Sequence, residues 1–429
     1  MREEAGPQRP ITVGEDMNMV THGDDAGERA RTAAALEAGL RQRLAGQPIV
    51  CFANDWRGDP TSKHHIMRTL GAHTDVLWVE SSGMRRPELS VGDIKRVMHK
   101  LRRARSTSAG EDGPVRVISP LSLPLPGSRV AEAINARLYR RALDAAGALS
   151  DHAAPLLWVY TPTVAPYLAG IPRAGLVYHC VDRWWAFGEY DEDVMRRHHI
   201  ELCRSADVVF ASSAELVADC AHFTDNVHLI RHGVDWDHFA RAALEPLPAP
   251  ADIAGVRAPI LGFFGLIHDW IDQTLLARVA DAFPHATMLL IGKTRVDVSE
   301  LGRRPNVRLL GQKPYDELPA YAARFDIGLI PFAINELTRA VNPIKLREYL
   351  SAGVPVVSTA LPELAVYEGD PRVRIADDAD GFIQAVGELL EQGDSHAARA
   401  AAARSMVGES WLGRCEMMIR LWESSRRND

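Results

Sequence analysis

The stretch Asn342-Pro-Ile-Lys-Leu-Arg-Glu-Tyr-Leu-Ser-Ala-Gly-Val-Pro-Val-Val357 puts a lysine, a glutamate and a helix start within reach of one another. Pro343 suits the first helical position, where no N–H is needed. Gly353 stands where a left-handed cap would end the helix. The backbone N–H groups at such a helix start are unpaired and lie at the positive end of the dipole, so they can hold phosphate. Lys345 adds a cation, and Glu348, three positions on, shares its face. A carboxylate repels phosphate, but it accepts hydrogen bonds from two adjacent hydroxyls, such as those of a nucleotide ribose. An amphipathic helix with a surface Lys–Glu pair has the same pattern, so the assignment needs support from elsewhere in the chain.

Two other segments carry candidate chemistry. In Leu176-Val-Tyr-His-Cys-Val-Asp-Arg-Trp-Trp185, His179 and Asp182 fall at the end of an apolar run. There they can move a proton or stabilise charge, or simply cap a strand and the following helix. Asn54-Asp-Trp-Arg-Gly-Asp-Pro-Thr-Ser-Lys-His-His65 follows another apolar run. Its Asp55, Trp56, His64 and His65 suit a sugar, which takes an aromatic surface and polar groups together. Asp55, Asp59, His64 and His65 can also be read as a metal cluster, but their spacing fits no ligand pattern and no metal is expected.

The elements that must position these groups are short apolar runs alternating with helical stretches. Ile49–Ala53, Val76–Val79, Val115–Ile118, Leu156–Val159, Leu176–Tyr178, Val208–Ala211 and Val227–Ile230 read as strands of a first series. Ile260–Phe264, Met288–Ile291, Val307–Leu310, Ile327–Ile330, Val354–Ser358 and Val373–Ile375 read as a second. Alternating βα units imply parallel sheets covered on both faces. The Pro/Ala-rich Leu244–Ala251 separates the two series. The expected layout is a mobile tail and short helix over 1–46, an N-terminal domain over 47–243, a linker over 244–256, a second domain over 257–396 and a helix over 397–429. That last helix either crosses back to the first domain or is merely the last helix of the second. In doubly wound sheets ligands lie beyond the carboxyl ends of the strands, so the cleft between the domains is the expected site.

Composition narrows the function classes. A net charge of −7 argues against bulk nucleic-acid binding. The five cysteines form no close pair in the sequence, so neither a zinc site nor a disulfide framework is expected, and a reducing cytoplasm fits. No apolar leader follows Met1. The uncharged run Ala153–Pro172 is broken by prolines and reads as a buried strand and a short helix rather than a membrane span. The basic run Lys95–Arg105 reads as a solvated helix face or as a peripheral contact with an anionic membrane.

Three more segments join the first: Ala206–Leu216, Arg231-His-Gly-Val-Asp-Trp-Asp-His-Phe239 and Gly311–Phe332. In this order, with the Pro-x-Lys-x-x-Glu helix after them, the chain resembles the GT-B glycosyltransferases of the retaining family 4 type. The likeness is strongest over about residues 175–365. It implies two Rossmann-like domains and transfer of a sugar from a UDP- or GDP-sugar to a glycan or lipid-linked acceptor in surface-polysaccharide synthesis, without a bound metal or other cofactor. It implies that Glu348 binds the ribose and that Asn342, Pro343 and Ile344 approach the diphosphate and sugar. It places His179 near the reacting carbon, with Asp182 beside it, and the acceptor at the Asn54–His65 loop. Two positions depart from the pattern. Ala340 stands where a first glutamate is expected, and Gly265-Leu-Ile-His-Asp-Trp270 lacks the usual Arg and Lys. Arg339, Lys345, Lys293 and His268 are the groups left to meet a diphosphate. A sugar-nucleotide 2-epimerase on the same fold and a binding protein derived from a transferase are the alternatives.

Overall fold

A computed structural model describes residues 26–81, 113–125, 127–149 and 153–426. The basic run Lys95–Arg105 and most of the expected N-terminal tail lie outside the described residues.

The first sheet has seven strands: β1 (Ile49–Ala53), β2 (Val76–Glu80), β3 (Val115–Ile118), β4 (Leu156–Val159), β5 (Gly175–Cys180), β6 (Val208–Ala211) and β7 (Val227–Leu229). Their order is β3-β2-β1-β4-β5-β6-β7. The second sheet has six: β8 (Ile260–Phe264), β9 (Thr287–Ile291), β10 (Val307–Gly311), β11 (Ile327–Ile330), β12 (Val356–Thr359) and β13 (Val373–Ala376), in the order β10-β9-β8-β11-β12-β13. All pairings in both sheets are parallel. The inner strands are buried on both faces, which is why they read as continuous apolar runs rather than alternating ones. Apolar clusters flank each sheet on both sides.

In both sheets the order reverses between two adjacent strands, β1 and β4 in the first and β8 and β11 in the second. The crevice at such a reversal, beyond the carboxyl ends, is where these folds take ligands.

The C-terminal segment differs from the single helix expected. It is two helices, His396–Ser405 and Trp411–Ser425, with a break over Met406–Ser410. The first packs in the second domain, with Trp236 donating its indole N–H to the Ala403 carbonyl at 2.7 Å. The second lies on the first domain, where Trp411, Met418, Ile419 and Trp422 enter the core beneath β1 and β4. The break is held from both sides. Arg347 and Arg414 bind the Glu409 carboxylate at 3.1 and 2.6 Å, and Val234 N–H donates to the Glu409 carbonyl at 2.8 Å. Burial alone would raise the Glu409 pKa, but the two arginines outweigh it and hold it below the usual range. Gly233 is the seat of this crossing, since a Cβ there would come within 2.9 Å of the Trp411 backbone nitrogen. The Arg231–Phe239 segment therefore owes its glycine to the returning helix.

Cys180, Cys203 and Cys220, distant in the sequence, are fully buried beside one another and beside His199. No described helix is long and apolar enough to cross a membrane.

Candidate functional site

On the second sheet, the helix Ile344–Ser351 begins one residue later than expected. Pro343 is its cap, in extended conformation, and no side chain caps the helix start. The helix ends as anticipated, with Gly353 at φ +69°, where an added Cβ would meet the Arg399 carbonyl at 2.5 Å. Lys345 and Glu348 bond at 2.9 Å, with Glu348 nearly buried and Lys345 partly exposed. The Lys345 stem crosses the end of β8, its ammonium 5.2 Å from the Phe264 ring. Beneath it the backbone is bare. Gly265 has φ +148°, and a Cβ on Gly292 would fall 1.8 Å from the Gly265 carbonyl oxygen. Glycine at both positions lets the β8 and β9 loops touch and leaves a flat backbone surface under the helix start.

The other expected donor-site residues divide. The Asn342 side chain is not available, because it accepts from Arg347 at 2.8 Å and donates to Glu363 at 3.2 Å while buried. Only its backbone, with that of Pro343 and Ile344, remains at the helix start. Arg339 is exposed on a short helix. Lys293 pairs with Asp59 of the first domain at 3.7 Å. His268 stacks on Trp270, 4.2 Å between ring centroids, and bonds Asp269 at 2.5 Å. Ala340 is buried against the first domain, and its carbonyl accepts from Ser213 Oγ at 2.7 Å. A glutamate there would have to sit inside this contact.

On the first sheet the structure revises two expected roles. Trp56 and His64 are core residues. Trp56 packs on Trp78 at 4.8 Å, and His64 Nδ1 closes a capping box with Thr61. Both are nearly buried. Asp55 is exposed, whereas His65 faces the second domain, between Tyr315 at 5.6 Å and Trp411 at 5.5 Å. His179 is also inside the protein, 1% exposed, against Tyr160, Trp158 and Phe210. Both of its ring nitrogens lack a partner, as does Trp184 Nε1.

Lys63, in the same loop, is a further candidate site residue. It is 5% exposed on the first turn of the helix Ser62–Gly71, which follows the β1 loop. Its ammonium donates to Asn54 Oδ1 at 3.2 Å and lies 4.9 Å from the Trp184 ring. Burial lowers its pKa and Asp182 raises it in part. Asp182 answers in kind: burial raises its carboxyl and Lys63 lowers it. A lysine just beyond the first strand was the only sequence signal, because its partner comes from the β5 loop. Lys63, Asp182 and the unpartnered groups of His179 and Trp184 gather at the carboxyl ends of β1, β4 and β5.

The domains are held face to face by Glu363, which is 4% exposed. It accepts from Ala214 N–H at 2.5 Å, Arg231 Nε at 3.0 Å and Asn342 Nδ2 at 3.2 Å. Arg183 adds bonds to Asp219 at 2.8 Å and to the Glu336 carbonyl at 3.1 Å. Replacing Glu363 with alanine removes the three hydrogen bonds it accepts at the interface. The expected cost is about 3–5 kcal/mol, read as a lower urea midpoint, with a larger radius of gyration in X-ray scattering as the domains part.

Burial pushes the His179 pKa down to about 3, with Lys63 adding to the effect, and pushes His64 down to about 4. The unfolded chain takes up these protons near pH 6.5, before the folded one does. Stability from these groups is therefore full above pH 6.5 and is lost as pH falls towards 3 for His179 and 4 for His64. The expected slope is about 1.4 kcal/mol per pH unit for each imidazole. Urea titrations between pH 7.5 and 5 check it, and His179→Gln should flatten the curve. An unchanged slope in that variant would contradict the assignment.

Residues 258–392 match the sequence family described as Glycosyl transferases group 1. The putative teichuronic acid biosynthesis glycosyltransferase TuaH of Bacillus subtilis (strain 168) is 32% identical over 203 residues, 44% of this chain and 51% of that protein. The chain thus spans about half the length of the curated relative it matches. Sucrose-phosphate synthase from Thermosynechococcus elongatus superposes with a TM-score of 0.65 at 16% identity, covering 89% of this chain and 100% of that one. Anabaena Alr3699/HepE, solved in complex with UDP-glucose, superposes with a TM-score of 0.60 at 17% identity, covering 88% and 99%. The fold is GT-B, two Rossmann-like α/β domains facing a cleft, and the chain resembles the group 1 glycosyltransferases as its motifs implied.

Proposed function

We propose that this chain is a nucleotide-sugar-dependent glycosyltransferase of polysaccharide synthesis, acting with retention on a glycan or lipid-linked acceptor. The observation that carries the proposal is the Lys345–Glu348 pair at an uncapped helix start, above the bare Gly265–Gly292 backbone and at the switch point of the second sheet. Glu348 accepts the two ribose hydroxyls. Lys345 turns to the diphosphate, and the helix start with Ile344 supplies N–H donors and a positive dipole end. Lys293 at the cleft rim adds charge. The likeness to a UDP-glucose-bound structure and to a teichuronic acid glycosyltransferase supports this class of donor and acceptor.

Across the cleft, burial raises the Asp182 pKa and the Lys63 charge works against that rise, and Asp182 receives the proton of the attacking hydroxyl. That oxygen bonds to the anomeric carbon on the same face from which the diphosphate departs, so the configuration is retained as the bond to the diphosphate breaks. The negative charge on the departing nucleoside diphosphate meets Lys345 and the helix start. Domain closure excludes water from the reacting groups. His65 and Tyr315 line the closed cleft between the two sites.

A thermal-shift series against UDP-, GDP-, ADP- and dTDP-sugars tests the donor, since a ligand bound to the folded state raises the melting temperature. Acceptor-dependent release of nucleoside diphosphate then tests transfer. A sugar-nucleotide 2-epimerase would interconvert the donor without releasing it, and no shift with any of the four would overturn the proposal.

A further inference from the structure

Behind β5, on the face opposite His179, four soft ligand groups converge. Cys180 comes from the end of β5, His199 and Cys203 from the helix Glu192–Ser205, and Cys220 from the helix Ala214–Ala221. All four are buried, none more than 2% exposed. The ligand atoms of Cys180, His199 and Cys220 lie within 4.8 Å of one another. Cys203 Sγ is 3.6 Å from His199 Nε2. With metal–sulfur bonds of about 2.3 Å and metal–nitrogen bonds of about 2.0–2.1 Å, a tetrahedron has S···N edges near ~3.6 Å and S···S edges near ~3.8 Å. The Cys203–His199 edge already has that length, the edges among Cys180, His199 and Cys220 need a contraction of about 1 Å at most, and Cys203 moves in towards the other two sulfurs to complete the set.

The surroundings of the imidazole fit as well. Tyr178 Oη lies 2.9 Å from His199 Nδ1, so an Nδ1–H can donate to it, leaving the Nε2 lone pair aimed at the sulfurs. An outer hydrogen bond on the distal nitrogen is the usual way a metal-binding imidazole is held in one tautomer. Three thiols and an imidazole on three elements exceed what packing of lone buried cysteines requires. We propose that Cys180, Cys203, Cys220 and His199 form a structural zinc-type site. Binding exchanges the three thiol protons, released to solvent, for metal–sulfur bonds, so affinity falls as pH falls. The ion ties β5 to the two helices after it. It thereby sets the loop carrying Asp182 and Arg183, and Arg183 in turn binds Glu215 and Asp219 on the Cys220 helix. It stands apart from the transfer reaction and needs no role in it.

The test is elemental analysis of the full chain, produced with zinc in the medium and dialysed exhaustively. The expected content is about one zinc per chain, falling at least several-fold in C180S and C220S. If those variants do not fold, the wild-type chain serves. Reduced and unfolded, it is refolded with cobalt(II), and the expected result is the intense visible bands of tetrahedral cobalt with a thiolate charge-transfer band in the near ultraviolet. A higher melting temperature with zinc than without is expected in the same refolding. A folded chain that holds no zinc and refolds identically with or without either metal would overturn the site. So would a Cys180–Cys220 disulfide in the purified protein, since it consumes two ligands.

Discussion

Glu348→Ala is expected to weaken nucleotide-sugar binding by roughly two orders of magnitude. Two hydroxyl-to-carboxylate bonds, each worth ~1.5–3 kcal/mol in a nearly buried setting, account for at least about 3 kcal/mol, which is ~150-fold in affinity. The loss is partly offset, because Lys345, released from its 2.9 Å bond to Glu348, gains freedom to meet the diphosphate. Glu348→Gln keeps the shape and one acceptor oxygen, so it should fall between wild type and alanine. Calorimetry with the donor found by thermal shift measures all three. The melting temperature of the free protein is the control, and it should change little, because Lys345 reaches solvent once the glutamate is gone. Wild-type donor affinity in Glu348→Ala would remove the foundation of the nucleotide site.

Lys63→Met is expected to lower turnover by about 10²–10³-fold, the loss typical when a preorganised charge beside a reacting group is removed. It should also destabilise the protein by about 3–5 kcal/mol, because Asp182 loses the cation that offsets its burial. The two effects separate in a cycle. Lys63→Met combined with Asp182→Asn removes both charges and should recover much of the stability, but none of the turnover. Single-turnover rates and urea midpoints on the four proteins of the cycle give both quantities. If Lys63→Met turns over like wild type, the pair is structural and the acceptor side of the mechanism fails. If the double variant is no more stable than either single one, the two groups are not coupled.

Much of the scaffold was legible in the sequence because parallel strands buried on both faces leave uninterrupted apolar runs. Ile49–Ala53, Val208–Ala211 and Ile327–Ile330 are strands over the same residues in the structure. The helix start at Ile344 and the cap at Gly353 were legible for another local reason, since proline and glycine restrict the backbone wherever they stand. The break at Met406–Ser410 left only weak local marks, Gly408 and the Ser410 cap, and what holds it is Glu409, gripped by Arg347 and Arg414 and by the Val234 N–H.

The sequence by itself determined two doubly wound domains and a helix start that carries Lys345 and Glu348 on one face. Each of these follows from residues within a few turns of one another. The tertiary structure decided which polar groups face the cleft. It buried Trp56, His64 and His179, which looked suited to a sugar, and it brought Lys63, from the segment after β1, within electrostatic reach of Asp182, after β5. It also gathered three scattered cysteines around His199. Burial and charge pairing depend on what lies across the fold, so no local spacing could have announced them.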